Sequence, residues 1–238
     1  MVAAKKKAKI AGGKSNRGLY TVLGVLGVVV VAALGYSLLR AGSGGAATQP
    51  VDIGNVTEPA RLFEMAAGIP LGNENAPVRV ITFIDFQCPG CAAFARSIEP
   101  LLRQQYVDTG LVQLVYYDYP IPSIHPQAFV AARAARCANE QNRFWDFHDV
   151  LLARQMAWSG SGTAINMFGD YAAELGLDRA AFDACLRSDR FAQTVSASME
   201  LGRQLNVQGT PTVFVNNRVA NVGTWDDLRA LIDAEIGA

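Results

Sequence analysis

The chain has no lysine after Lys14, no acidic residue before Asp52, only two histidines and only four cysteines in 238 residues. Each scarcity closes off a class of function. Residues 1–40 hold seven bases (Lys5, Lys6, Lys7, Lys9, Lys14, Arg17 and Arg40) and no acid, which leaves fourteen bases against twenty-one acids in the remainder. A part so acidic offers no basic stripe, so nucleic acid is not an expected partner. Four cysteines fall far short of a dense disulfide scaffold, while 50% hydrophobic and 18% charged residues are too apolar a mixture for a disordered chain. The length suits one compact domain with additions, or two small domains, and no internal repeat is visible.

The first positive feature is an apolar run. Residues 19–39 carry no charge and are rich in Val, Leu, Gly and Ala. As a helix they would extend about 31 Å, matching a bilayer core of about 30 Å. A signal peptide's apolar region runs about 7 to 15 residues, so a retained transmembrane anchor is expected, with cleavage near Ala46-Ala47 as the alternative. No cysteine follows the run to accept a lipid. Six of the seven early bases precede it, which predicts a basic cytoplasmic segment over 1–18 and export of everything beyond the span. In an oxidising compartment disulfides form and persist, so the four cysteines read as two pairs.

Residues 40–60, with the stretch Ala41-Gly42-Ser43-Gly44-Gly45-Ala46-Ala47, have linker composition and are expected to form a flexible tether to a domain over 61–238. The β-branched and aromatic run 78–86 predicts a buried strand, 92–106 a helix kinked at Pro100, and 111–117 a second strand. Helical spacing then dominates an insertion at about 127–206, with helices over 128–139, 143–155, 163–175, 178–187 and 189–205. Strands at 212–215 and 219–222 and a closing helix at 225–236 complete the domain.

Cys88-Pro89-Gly90-Cys91 falls where the first strand gives way to its helix. Residues three apart share a helical face, and the free N–H groups and dipole of the first turn favour a thiolate at the leading position. Cys88 is therefore the expected nucleophile and Cys91 the partner that closes or reopens the disulfide. The competing readings are a structural bridge or half of a zinc site, for which the remaining ligands would have to come from Cys137, Cys185, His125 and His148. Cys137 and Cys185 lie on different predicted helices, and a structural disulfide between them is favoured over free thiols or a second redox pair. Its loop would contribute about 4 kcal/mol by chain entropy.

Gly209-Thr210-Pro211-Thr212-Val213, leading into the third strand, completes a resemblance to the thioredoxin superfamily. The stretches Phe83-Ile84-Asp85-Phe86-Gln87-Cys88-Pro89 and Phe144-Trp145-Asp146-Phe147-His148-Asp149 are similar to its DsbA-like branch of exported disulfide oxidoreductases, over roughly residues 70–236. The resemblance implies an α/β thioredoxin fold with an inserted all-helical domain, a cis Pro211 beside the dithiol, and Thr210 offering backbone groups to an extended substrate. It implies exchange of disulfides with exported proteins, no organic cofactor, and reoxidation by a quinone-linked membrane partner of the DsbB or vitamin K epoxide reductase type. The implied location is a bacterial cytoplasmic membrane, single-pass, with the catalytic domain on the periplasmic side. Two positions depart from the pattern. Gly90 replaces an aromatic residue or histidine, which leaves the direction of exchange open between oxidase and reductase or isomerase. Thr82 stands where relatives carry a buried acid, and Asp85 is the candidate replacement, although an acid at a strand end is more often solvated or hydrogen-bonded structure. A non-catalytic metal-binding or maturation module is the reading of a different class. His125 reads as a turn residue, His148 as helix packing, and Trp158 and Phe168 as core or as part of a peptide groove.

Overall fold

The computed structural model describes residues 46–56 and 58–237; the predicted span at 19–39 and the basic segment before it lie outside them. Among the described residues no helix is long and apolar enough to cross a membrane.

The first helix, α1 (Pro59–Ala66), leads to β1 (Ile69–Leu71) and β2 (Val78–Ile84). Next come α2 (Pro89–Ser97), a short α3 (Glu99–Leu102), a π-helical turn (Arg103–Val107) and β3 (Val112–Asp118). The expected kink takes the form of a break at Ile98, directly ahead of Glu99-Pro100, because proline has no N–H to continue the ladder. β2 and β3 are parallel, with Val78 opposite Val112 and Ile84 opposite Asp118. β4 (Thr212–Val215) lies antiparallel on the other side of β2, β5 (Arg218–Ala220) antiparallel outside it, and β1 antiparallel outside β3. The strand order is thus β1-β3-β2-β4-β5, and α10 (Trp225–Ile236) closes the chain.

This sheet explains the near-continuous apolar run of β2. Val78, Val80 and Ile84 join Phe94, Ile98 and Leu102 and the α10 residues Leu228 and Ile232 in one cluster. Phe83, Val115 and Tyr117 pack in a second cluster with Leu62 and Ala66. A strand covered on both faces has no polar alternation to keep.

The region after β3 contains α4 (Ala128–Asn139), α5 (Phe144–Ala153), α6 (Gln155–Trp158), α7 (Ala164–Glu174), α8 (Arg179–Arg187) and α9 (Ala192–Gln204). The region 127–206 is helical as expected, but its last helix packs on the sheet. Ala197 and Leu201 of α9 belong to the sheet cluster of Phe83 and Tyr117, so α9 covers the sheet together with α1. Gly202 allows that approach, since a Cβ there would meet the Tyr119 ring at 2.6 Å. Helices α4–α8 form the cap proper.

The expected flexible linker over 40–60 is also corrected where it is described. Ala47 N–H donates to Asp189 Oδ1 at 2.7 Å, its carbonyl accepts from Arg133 at 2.7 Å, and Val51 N–H donates to Ser196 Oγ at 2.9 Å. Residues 59–60 already belong to α1. Side chains 86 to 145 residues away capture this backbone, which composition alone reads as a tether.

Candidate active site

Cys88 is the N-cap of α2, in extended geometry (φ −75°, ψ 123°), and Pro89 occupies the first helical position, where a missing N–H costs nothing. The helix therefore begins at Pro89 rather than at 92. Cys88 is partly exposed and Cys91 fully buried; neither is bonded to another cysteine. Three influences draw the Cys88 thiol down to about 5: a hydrogen bond from the Cys91 thiol, the largest, then the Thr210 side chain, then the backbone N–H groups of Cys91 and Gly90. Partial burial opposes them. Burial pushes Cys91 well above the usual thiol value, and its bond to Cys88 adds to this. The surroundings thus favour a thiolate at one sulfur and a retained thiol at the other, the division of labour that exchange at the outer sulfur requires.

The loop before β4 meets this turn from the opposite side. The Thr210–Pro211 peptide is cis, and Cys88 Sγ lies 3.2 Å from the Thr210 carbonyl oxygen. A Cβ on Gly90 would stand 3.3 Å from Pro211 Cδ and 3.6 Å from Cys88 Sγ, so the proline packs on the active-site dipeptide. Cys88, Cys91, Pro89, Gly90, Thr210 and Pro211, the six residues expected in one site, come together in the structure.

Of the two structural readings of Asp85, solvated or hydrogen-bonded, the second holds. Its carboxylate is 1% exposed and accepts the N–H groups of Gln87 (2.7 Å) and Ile121 (2.9 Å), while His125 Nδ1 lies 2.7 Å away. Burial raises its pKa, and the three bonds partly offset that rise. His125 lies in the turn expected of it, its N–H donating to Ile121 O at 2.9 Å, and its imidazole is in addition the partner of this buried acid. Two further residues of the site escaped sequence reasoning. Gln155, from the cap, donates to backbone carbonyls of the active-site turn, and Gln87, next to Cys88, donates to Ser159 Oγ at 2.9 Å and accepts from Gln127 N–H at 2.8 Å. No periodicity or spacing marks an amide for such a task.

Cys137 and Cys185 form a disulfide with Cα atoms 5.8 Å apart, joining α4 to α8, so neither is free to complete a metal site with Cys88. Trp158 and Phe168 are fully buried core partners, their rings 5.2 Å apart. His148 is fully buried between the rings of Phe86 (5.6 Å) and Tyr116 (5.7 Å). Glu99, His148 and Asp149 lie close enough to share a cation. The Arg103 guanidinium already bridges the two acids, however, contacting Glu99 and lying 2.9 Å from Asp149 Oδ1.

A thioredoxin sheet carrying a vicinal dithiol at a helix N-terminus, faced by a cis-proline loop and covered by a helical cap, defines the DsbA-like class of thiol-disulfide oxidoreductases. The comparisons agree. The family described as Thioredoxin matches residues 65–234, and the chain belongs to it. The probable disulfide bond formation protein D of Bacillus cereus is 27% identical over 229 residues, which are 94% of this chain and 99% of that protein. The crystal structure of oxidised BdbD from Bacillus subtilis superposes with a TM-score of 0.67 at 25% identity, covering 82% of this chain and all of that one. A 147-residue stretch is 37% identical to part of the protein named Na(+)/H(+) antiporter NhaA 3 of Salinispora tropica, covering 62% of this chain and 21% of that protein.

Proposed function

We propose that the protein is a membrane-anchored oxidase that forms disulfides in exported proteins. The observation that carries the direction is the asymmetry of the two sulfurs. A Cys88 thiolate held down to about 5 stabilises the reduced enzyme and so favours the oxidising direction of exchange. In the reaction a substrate thiolate attacks Cys88 Sγ of the Cys88–Cys91 disulfide, and Cys91 leaves and takes up a proton, as its burial favours. The substrate's second thiolate then attacks the substrate sulfur of the mixed disulfide and displaces Cys88 as its stable thiolate. Two electrons pass to the enzyme. Thr210 and Pro211 present the backbone edge along which an extended substrate would lie beside the sulfur.

Anchoring rests on the uncharged run 19–39 and on the six bases before it against one after it. That orientation puts the domain on the extracytoplasmic side of a bacterial cytoplasmic membrane. The oxidant that restores the disulfide would be a quinone-linked membrane partner of the DsbB or vitamin K epoxide reductase type, near which the anchor would keep the enzyme.

Equilibration of the Cys88–Cys91 pair with glutathione tests the direction. A potential near about −120 mV supports an oxidase, and one near about −270 mV replaces this reading with a reductase. Cys91→Ser is expected to trap substrate on Cys88, whereas Cys88→Ser traps none. A purified domain that neither oxidises a dithiol peptide nor reduces insulin would overturn the enzymatic reading.

A further inference from the structure

The turn that presents Cys88 is held from outside the thioredoxin fold. Gln155, 5% exposed at the start of α6 in the cap, directs its single Nε2 amide at two backbone carbonyls. One is Phe86 O at 2.7 Å and the other Cys88 O at 2.9 Å. These oxygens belong to the peptide groups on either side of Gln87–Cys88. The rest of the turn is tied just as closely. Cys88 N–H donates to Asp85 O at 3.0 Å, and the Gln87 side chain is spanned by Ser159 and Gln127. The amide of Gln127 in turn accepts from Gly160 N–H at 2.6 Å.

We infer that Gln155 is a positioning residue for the reacting sulfur: its carboxamide fixes the two peptide planes and so holds Cys88 over the first turn of α2. The physical link is the backbone torsion. The direction of the Cys88 carbonyl is its ψ angle, 123° here, and that angle separates a residue that caps a helix from one wound into it. With the carbonyl drawn toward α6, the N–H groups of Gly90 and Cys91 remain directed at the sulfur. The Cys88 carbonyl also accepts Ala92 N–H at 3.2 Å, so Gln155 supplements the helix ladder without replacing it. Phe86 lies beyond the paired part of β2, and its buried carbonyl depends on such a donor, since an unpaired one is costly. The cap, through one amide, thereby sets the reactivity of a cysteine that belongs to the sheet.

This inference rests on the exchange chemistry proposed above, but its test reads the sulfur directly. In the full chain, Gln155→Met keeps the volume and removes both donors. Thiolate absorbance at 240 nm is expected to titrate about one pH unit higher than in the parent, a ten-fold change. Alkylation by iodoacetamide at pH 6 should slow about two-fold, because the thiolate fraction falls from about nine-tenths to about half, and the glutathione equilibrium should move away from the reduced enzyme. Gln155→Asn, one methylene shorter and able to reach one carbonyl at most, should fall between the two and serves alone where the methionine variant does not fold. A lower melting temperature with an unmoved titration and potential, in either variant, would show a purely structural residue and overturn the inference. A titration that shifts in a protein without exchange activity would sink the proposed function and leave this inference standing.

Discussion

The sulfur of Cys88 lies 3.2 Å from the carbonyl oxygen of Thr210, 122 positions further along the chain. A thiol can donate to that oxygen, but a thiolate cannot. The Thr210 hydroxyl, buried and without a partner of its own, is free to donate to the thiolate, and it draws the Cys88 pKa down. Thr210→Val keeps the shape and removes this donor. The Cys88 titration should rise by about one unit, on the order of 1.4 kcal/mol, as read by absorbance at 240 nm. An unchanged midpoint would mean that backbone groups alone stabilise the charge.

The lowered Cys88 pKa ties the stability of the reduced protein to pH. Its value is about 5 in the fold against 9.0 for an ordinary thiol, so the thiolate contribution is complete above pH 9 and is lost as pH falls through 5. Urea midpoints of the reduced protein, followed against those of the oxidised protein, should therefore rise from pH 5 to pH 9. A difference that stays flat across this window would show that Cys88 titrates normally.

Gly90 is exposed, and a side chain there would begin 3.6 Å from the Cys88 sulfur. Gly90→His places an imidazole in that space at the cost of a few tenths of an ångström of adjustment against Pro211. Below the pH at which the imidazole titrates, its positive charge should favour the thiolate. The glutathione equilibrium is expected to shift toward the reduced enzyme by about ten-fold, on the order of 1.4 kcal/mol.

The Cys137–Cys185 disulfide staples α4 to α8 within the cap across a sequence separation of 48. Replacing both cysteines by alanine should destabilise the protein by about 2 to 4 kcal/mol in urea unfolding. The Cys88 titration should stay where it is, because neither residue touches the site. A shifted titration would reveal a route from the staple to the dithiol.

Asp118 and Arg136 are a fully buried pair, and the guanidinium also donates to the carbonyls of Ala66 (2.8 Å) and Ala67 (3.0 Å). Asp118→Leu leaves an uncompensated cation in the core. A loss of about 3 to 5 kcal/mol is expected, and Arg136→Leu in the same chain should recover part of it. Additive losses in the double variant would argue against a coupled pair.

The reacting centre was legible because its determinants are local. The run at 78–86, the Cys-x-x-Cys at the strand end and the Thr210-Pro211 step before a strand each mark their own few residues. The span of α1 and the three-residue β1 were not, since Ile69-Pro70-Leu71 shows no alternation and becomes a strand only by pairing with Leu114, Val115 and Tyr116. Asp85 and His125 looked like a strand end and a loop histidine, and only the return of the chain after β3 puts the imidazole on the carboxylate.

By itself the sequence determined which residues can do chemistry and on which element each begins, because periodicity, caps and the reach of a helical turn act over a few residues. The tertiary structure decided how that chemistry is held. It docked residues 46–56 against the domain, laid α9 on the sheet and brought the Gln155 amide to the carbonyls that flank the nucleophile. Contacts between groups 40 to 145 residues apart depend on how layers pack, and packing leaves no periodic trace in the order of residues.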